Sequence, residues 1–331
     1  MFKNLSLLFF LFSFIGFGSY SININQKLEP VNSPILRDSI IDLKENNPIA
    51  LVGDLQRTTI WELMIGREQN DSEREKIIKD IASKNPAALI LLGDMVSNGS
   101  DLKEWKYFQN LLKPVELENI PIIPVLGNHE YWGDNIIALN NAEQVFPVFQ
   151  KSHWYCKIYG DVVFVILDSN RKDIGENEWA NEREWFENIL KYYNSAQTVK
   201  GIVVCFHHPP YTNSIVTGDN TDVQEAFVQP FLNSPKTLAM ICGHAHTYER
   251  FQEKGKMFIV SGGGGGPRVL LKTGLNVHKD LINLPSLRPF NYLLIYLKSG
   301  GIEITARGLK KGESQFFTID NFSISFNNYS Y

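Results

Sequence analysis

The chain has 331 residues, 44% of them hydrophobic and 21% charged, with a formal net charge of −4. That composition excludes a disordered or fibrous protein, and the length allows a substantial core in one large domain or two small ones. The basic residues do not cluster, which argues against a duplex nucleic-acid footprint; nucleotides remain open as substrates where a metal site supplies positive charge locally.

The first segment reads as an export signal. Lys3 precedes an apolar run over residues 5–17, and Gly16, Gly18 and Ser19 supply small residues at its exit. The run is shorter than the roughly 20 residues of a comfortable membrane span. The expectation is a signal peptide over residues 1–18 and export to a periplasmic or secreted location, with no membrane span in the mature protein. An uncleaved signal anchor is the alternative. Residues 19–46 form a polar lead-in, and residues 47–331 read as a single domain.

Beyond the lead-in, short apolar runs end abruptly in glycine or polar clusters, at 49–52, 87–92, 122–126, 162–167, 202–206, 238–242 and 257–260. Each predicts a buried strand. Residues 71–84 predict a helix, with acidic residues in the first turn, Lys near the end, and Ile77, Ile78 and Ile81 on one side. Its acidic residues are expected on a solvated face. Residues 182–193 repeat the pattern with Trp185, Phe186, Ile189 and Leu190. After Pro289 the strand-like stretches are 292–298, 301–306 and 315–325. This order predicts an α/β or layered α+β fold, with mixed sheets flanked by helices. Cys156, Cys205 and Cys242 are odd in number and widely spaced, so free, buried thiols are expected.

Ligands of α/β sheets bind outside the carboxyl ends of strands, so the side chains just past each apolar run are the ones to inspect. They are Asp54 and Gln56, Asp94, Asn128 and His129, His207 and His208, and His244 and His246, which include five of the seven histidines. Neutral imidazoles with Asp and Asn oxygens suit Mn, Fe, Zn and related divalent ions. A Gly-Asp pair alone after a strand is ordinarily a turn; the signal lies in the set. His244 and His246, two residues apart on an extended segment, would point to one side. His208 is expected behind the ligands or exposed. His153 and His278 lack neighbouring ligands and read as surface or packing residues. Asp168 either orients a ligating histidine or makes a turn. Arg57, Tyr131, Tyr211 and Tyr248 flank the motifs, where structural duty is expected ahead of lining a substrate pocket, and Arg250 is expected as an ion-pair partner rather than a phosphate binder. The glycine run at 262–266 lacks the Gly-Lys-Ser/Thr ending of a phosphate loop, so it predicts a tight bend near the site.

From about residue 49 to 266 the motifs run Gly53-Asp54-Leu55-Gln56, Gly93-Asp94, Gly127-Asn128-His129-Glu130, His207-His208-Pro209 and Gly243-His244-Ala245-His246. In type and order they resemble the calcineurin-like metallophosphoesterases. The continuation Thr247-Tyr248-Glu249-Arg250 looks like the purple acid phosphatase branch. The resemblance implies a four-layer β-sandwich of two mixed sheets flanked by helices, and two divalent metal ions (Mn, Fe, Mg or Zn). Asp54, Gln56 and His246 would hold the first ion and Asn128, His207 and His244 the second, with Asp94 bridging. His129 would act on the transferred phosphoryl group or the leaving oxygen. The implied reaction is in-line attack of metal-activated water on a small phosphate ester or nucleotide, a monoester or a diester, with no covalent enzyme intermediate.

Two positions depart from the family pattern. Gln56 stands where an Asp-x-His motif is usual; its carboxamide oxygen is a harder, weaker donor than imidazole and favours Mn, Mg or Fe over Zn. Ser97 stands where the purple branch expects Tyr, so the charge-transfer colour should be missing. Gln56 also keeps open a metal-binding pseudoenzyme scaffold without turnover. The aromatic stretch 316–331 permits a partner-binding reading, although alternating aromatics are more often core.

Overall fold

The computed structural model describes residue 28 and residues 47–326, so the expected signal segment, nearly all of the lead-in and residues 327–331 lie outside the described residues. In chain order the strands are β1 (Ile49–Val52), β2 (Ala88–Leu91), β3 (Ile122–Pro124), β4 (Tyr155–Tyr159), β5 (Val162–Ile166) and β6 (Gly201–Cys205). They continue with β7 (Thr237–Cys242), β8 (Tyr248–Glu253), β9 (Lys256–Ser261), β10 (Phe290–Lys298), β11 (Gly301–Leu309) and β12 (Phe317–Ser325). The helices that matter below are α1 (Ile60–Met64), α2 (Asp71–Ser83), α3 (Leu102–Leu117), α4 (Asn135–Val145) and α5 (Arg171–Ser195).

Two six-stranded mixed sheets result, in the orders β12-β11-β10-β1-β2-β3 and β4-β5-β6-β7-β9-β8. The strands β1, β2 and β3 run parallel, as do β5, β6, β7 and β9, while β10 to β12, β4 and β8 pair antiparallel. Both faces of the central strands are covered, which explains why their sequences are continuous apolar runs rather than alternating ones. On β1, Ile49 and Leu51 face the other sheet and pack with Phe164, Val203 and Ile241. Ala50 and Val52 face outward onto Ile77, Ile81, Trp105 and Phe108 of α2 and α3. The second sheet turns Val163, Val165 and Val204 to Phe186 and Leu190 of α5. The expected layered α+β architecture is therefore present, helix–sheet–sheet–helix.

Several local expectations change. Strands β4 and β8 carry mixed polar and apolar residues and are edge strands, so no apolar run announces them. Helix α3 has a strong amphipathic pattern, with Trp105, Phe108, Leu111, Leu112 and Val115 buried, despite Pro114 within it. Helix α5 starts well before residue 182 and breaks at Gly175, whose φ is 82°. The acidic face of α2 is not wholly solvated: Glu73 is buried and accepts the Gly312 amide at 2.9 Å and the Lys311 ammonium at 3.1 Å. Leu28, the one described residue of the lead-in, is buried in the core beneath α2 and α3.

The carboxyl ends of the parallel strands in both sheets meet at one edge. There the Gly53 amide after β1 donates to the Ser261 carbonyl at the end of β9, at 3.2 Å, and the Asn291 amide of β10 donates to Gly263 at 2.9 Å.

Candidate metal centre

Each candidate side chain lies in the first residues past a strand, where the backbone leaves the pleat abruptly. Asp54, Asp94, His244 and His246 have φ of 63°, 53°, 68° and 46°, the left-handed region that is uncommon outside glycine. Strain of this kind persists only where surrounding structure fixes it, and it gathers at functional sites. It also corrects the expectation for His244 and His246. They are not on an extended segment; both sit in a tight turn, and the left-handed backbone rather than strand alternation turns the rings inward.

Asp54 is fully buried, and both of its oxygens accept the His244 amide, at 3.0 and 2.9 Å. Its Oδ1 lies 3.3 Å from Nε2 of His246. The His246 Nδ1 donates to the Pro267 carbonyl at 2.8 Å, which leaves Nε2 facing Asp54. The Gln56 amide is satisfied when its nitrogen donates to the carbonyls of Asp54 and Asp94, at 3.2 and 3.1 Å, and its oxygen faces Nε2 of His246 at 2.9 Å. The carboxamide oxygen is thereby aimed into the cluster.

Asp94 joins this group to the next. Its Oδ1 accepts the His129 amide at 3.0 Å, and its Oδ2 lies 3.2 Å from Nε2 of His207. The His207 Nδ1 donates to the Leu92 carbonyl at 2.8 Å, again freeing Nε2, which lies 3.2 Å from Asn128 Oδ1 and 3.1 Å from His244 Nδ1. Burial would lower the His207 ring, but the Asp94 carboxylate lifts it to about 9. Burial would raise Asp94, yet the His129 and His207 rings hold it well below the usual carboxylate range. Burial raises Asp54 against the opposing pull of His246. Among the described residues no Lys or Arg pairs with either buried carboxylate, so positive charge is drawn only onto the rings that face them, His207 beside Asp94 and His246 beside Asp54, while burial pushes the His244 ring down.

Ligand atoms of Asp54, Asp94 and His246 lie within 4.8 Å of one another, as do those of His207, His208 and His244. His208, expected behind the ligands, instead shares the second trio. Its Nδ1 is 2.9 Å from the Ser169 hydroxyl, and burial, then the neighbouring His207, pushes the ring down to about 3. His129 stands at the margin, with Nε2 3.7 Å from Asp94 Oδ2 and Nδ1 2.8 Å from the Ser97 carbonyl. The Trp132 ring lies over it, with centroids 3.6 Å apart. The donor set of imidazole nitrogens, two carboxylates and carboxamide oxygens suits divalent transition ions.

Other residues build the frame. Glu130 is buried and accepts the amides of Gly127, Asp94 and Met95 at 2.7, 2.8 and 2.8 Å, tying the exits of β2 and β3 together. Burial and the nearby Asp94 raise it to about 7. Arg74 of α2 donates to the carbonyls of Gln56 and Gly265 at 2.7 and 3.0 Å. Neither role is legible in the sequence, because a Glu directly after a His in a loop, or an Arg in a helix, carries no local signal. The glycine run packs against the cluster as expected: a Cβ on Gly262 would lie 2.6 Å from Asp54 Oδ2, and one on Gly266 would lie 2.6 Å from the His246 ring.

Asp168 orients none of the clustered histidines. It accepts the Tyr131 hydroxyl at 2.5 Å and lies 3.3 Å from His153 Nδ1. His153 and His278 stay outside the cluster, the latter beside Asp219 at 2.8 Å. Arg250 pairs with Asp320 at 2.7 Å, and Arg57 pairs with Glu104. Cys205 and Cys242 are buried free thiols and Cys156 is half-buried.

The family model for calcineurin-like phosphoesterases matches residues 47–248, which carry every clustered residue. The chain belongs to the calcineurin-like phosphoesterase family. No curated protein matches this family member in sequence. Among solved structures it is similar to a purple acid phosphatase from yellow lupin (Lupinus luteus) seeds, at 18% identity and a TM-score of 0.60, over 84% of this chain and 53% of that one. It thus spans about half the length of the lupin enzyme. It is also similar to GAP50, the anchor in the inner membrane complex of Plasmodium, at 15% identity and a TM-score of 0.63, over 84% of this chain and 88% of that one. A dimetal phosphatase from Danio rerio aligns at 14% identity and a TM-score of 0.57, over 85% of this chain and 99% of that one. At these identities the likeness concerns the fold.

Proposed function

We propose that this phosphoesterase hydrolyses phosphate esters with two divalent ions. The observation that carries the reading is the pair of ligand trios, with the buried Asp94 adjoining both and no lysine or arginine to neutralise it among the described residues. Asp54, Gln56, His246 and Asp94 would hold one ion; Asn128, His207, His244 and Asp94 would hold the other, with His208 as a further candidate. Bound there, the ions would supply Lewis-acid activation of an attacking water and of the phosphoryl oxygens.

The chain's own residues supply position and proton. The Leu92 and Pro267 carbonyls fix the His207 and His246 rings so that each presents Nε2. The Ser97 carbonyl holds Nδ1 of His129, which leaves Nε2 as the end facing substrate. When protonated, that nitrogen stabilises charge on the transferred phosphoryl or protonates the leaving oxygen. Trp132 restrains the ring and shields one face of it from water.

The test is hydrolysis of a chromogenic monoester and a matched diester by Mn-reconstituted protein and by chelator-stripped protein. Metal-dependent turnover is expected, and the ratio of rates assigns the substrate class. Turnover that survives stripping would refute the reading. A scaffold without turnover is the second reading, favoured by Gln56 in a position where imidazole is usual and by the fold shared with an anchor protein; bound metal with no hydrolysis of either ester would select it. The N-terminal segment supports export, and a mature protein that still begins at Met1 would count against signal cleavage.

A further inference from the structure

Among the described residues sixteen large apolar side chains stand exposed, and fourteen lie on loops and short elements that leave the site edge of the sheets. The exceptions, Leu117 and Tyr192, sit near the carboxyl ends of α3 and α5, which run back toward the opposite edge. The densest group is on and just after α1. Ile60, Trp61, Met64 and Ile65 are 77%, 76%, 70% and 77% exposed, and no residue of that helix is buried. Its start is fixed instead by a capping box between Thr59 and Glu62.

This apolar tip is tied to the metal centre. Arg67, just after it, donates to the Pro267 carbonyl at 2.9 Å, the same carbonyl that holds His246. The adjoining loop pairs Arg268 with Glu68 at 2.6 Å and carries Leu275, which is 93% exposed. Beyond His129, Trp132 and then Ile136 at the start of α4 continue the apolar rim.

We propose that this rim docks on a phospholipid membrane and that the site takes phosphorylated lipid headgroups. The inference rests on the phosphoesterase reading and names its substrate class. The centre suits a phosphate and the rim suits hydrocarbon, and a phosphorylated lipid carries both in one molecule. The exposed side chains project from a short helix and loops rather than lining a cleft, which fits shallow insertion into an interface better than capture of a single tail. Tryptophan prefers that interfacial depth. Lys272 and Lys279 are exposed on the Leu275 loop and form no ion pair among the described residues, which complements anionic headgroups. No helix among the described residues is long and apolar enough to cross a membrane, so the contact they offer is peripheral.

The test uses the full chain, loaded with Mn, and phosphatidylcholine vesicles carrying phosphatidic acid. The comparison variant combines Ile60→Ser, Trp61→Ser, Met64→Ser and Ile65→Ser. Wild type is expected to sediment with vesicles, and the variant to lose partitioning by about tenfold or more. The ratio of phosphatidic acid to soluble aryl phosphate turnover should fall by a similar factor. The proposal is overturned if wild type stays in the supernatant, if the variant partitions equally, or if the rate ratio is unchanged. The N-terminal apolar run is intact in the variant, so binding through it alone would persist and count against the rim. A wild-type dimer that the variant dissociates, without vesicle binding, would assign the rim to a second copy. Rim-dependent vesicle binding without turnover of either ester would retain the docking site while refuting hydrolysis.

Discussion

Asp94 touches both halves of the centre, through the His129 amide at 3.0 Å and through His207 at 3.2 Å. Asp94→Ala should therefore remove detectable turnover and lower bound metal, measured by elemental analysis of reconstituted protein, whereas Cys156→Ser should change neither. Near-normal turnover in the Asp94 variant would contradict its place at the junction. Glu130 acts one step further out. Its carboxylate accepts four buried amides, those of Gly127, Asp94, Met95 and Val96, and Glu130→Ala would strand them at a cost of about 3 kcal/mol or more. Urea unfolding should show that loss even without metal, and a neutral substitution would deny Glu130 its framing role. Residues of these two kinds differ in how far they can be read from sequence. Asp, Asn and His at strand exits announce metal chemistry by their type. Glu130, Arg74 and Trp132 act through distances that only the folded chain creates.

At the level of elements, the strand exits work because glycines let them approach. Gly266→Ala would push a methyl group against the His246 ring, 2.6 Å away, and metal affinity should fall by roughly 10–100-fold in a competition titration. Unchanged affinity would show that the ring can move aside freely. Between the sheets, Phe164 is fully buried, so Phe164→Ala should destabilise the fold by about 3–5 kcal/mol in denaturant titrations. The continuous apolar runs of β1, β5, β6 and β7 made those strands legible, because both of their faces are covered. Edge strand β8 was not legible, since Tyr248, Glu249 and Arg250 read as a motif extension rather than as a strand. The approach of the His244 and His246 rings was not legible either: a left-handed turn, which periodicity does not encode, brings them inward.

For the whole molecule, buried carboxyl groups make stability depend on pH. Burial pushes Glu249 up to about 7 from an ordinary value of 4.5, against opposition from the Thr212 hydroxyl and the Asn213 amide. The folded state therefore holds this proton more tightly than the unfolded chain does. Its contribution is fully present below about pH 4.5 and is lost as pH rises through about 7. Relative to wild type, Glu249→Gln should gain on the order of 2 kcal/mol between those limits, read by urea unfolding at both ends. A difference that does not vary with pH would exclude that titration. Both sheets bring their candidate ligands together at one joined edge, so metal titration of stripped protein tests the proposed function most directly. Turnover of a phosphate ester should return as the second equivalent of Mn binds, and Asp94→Ala should show neither the second equivalent nor the turnover. Two tightly bound equivalents with no hydrolysis of any ester, or hydrolysis before any metal is added, would contradict it.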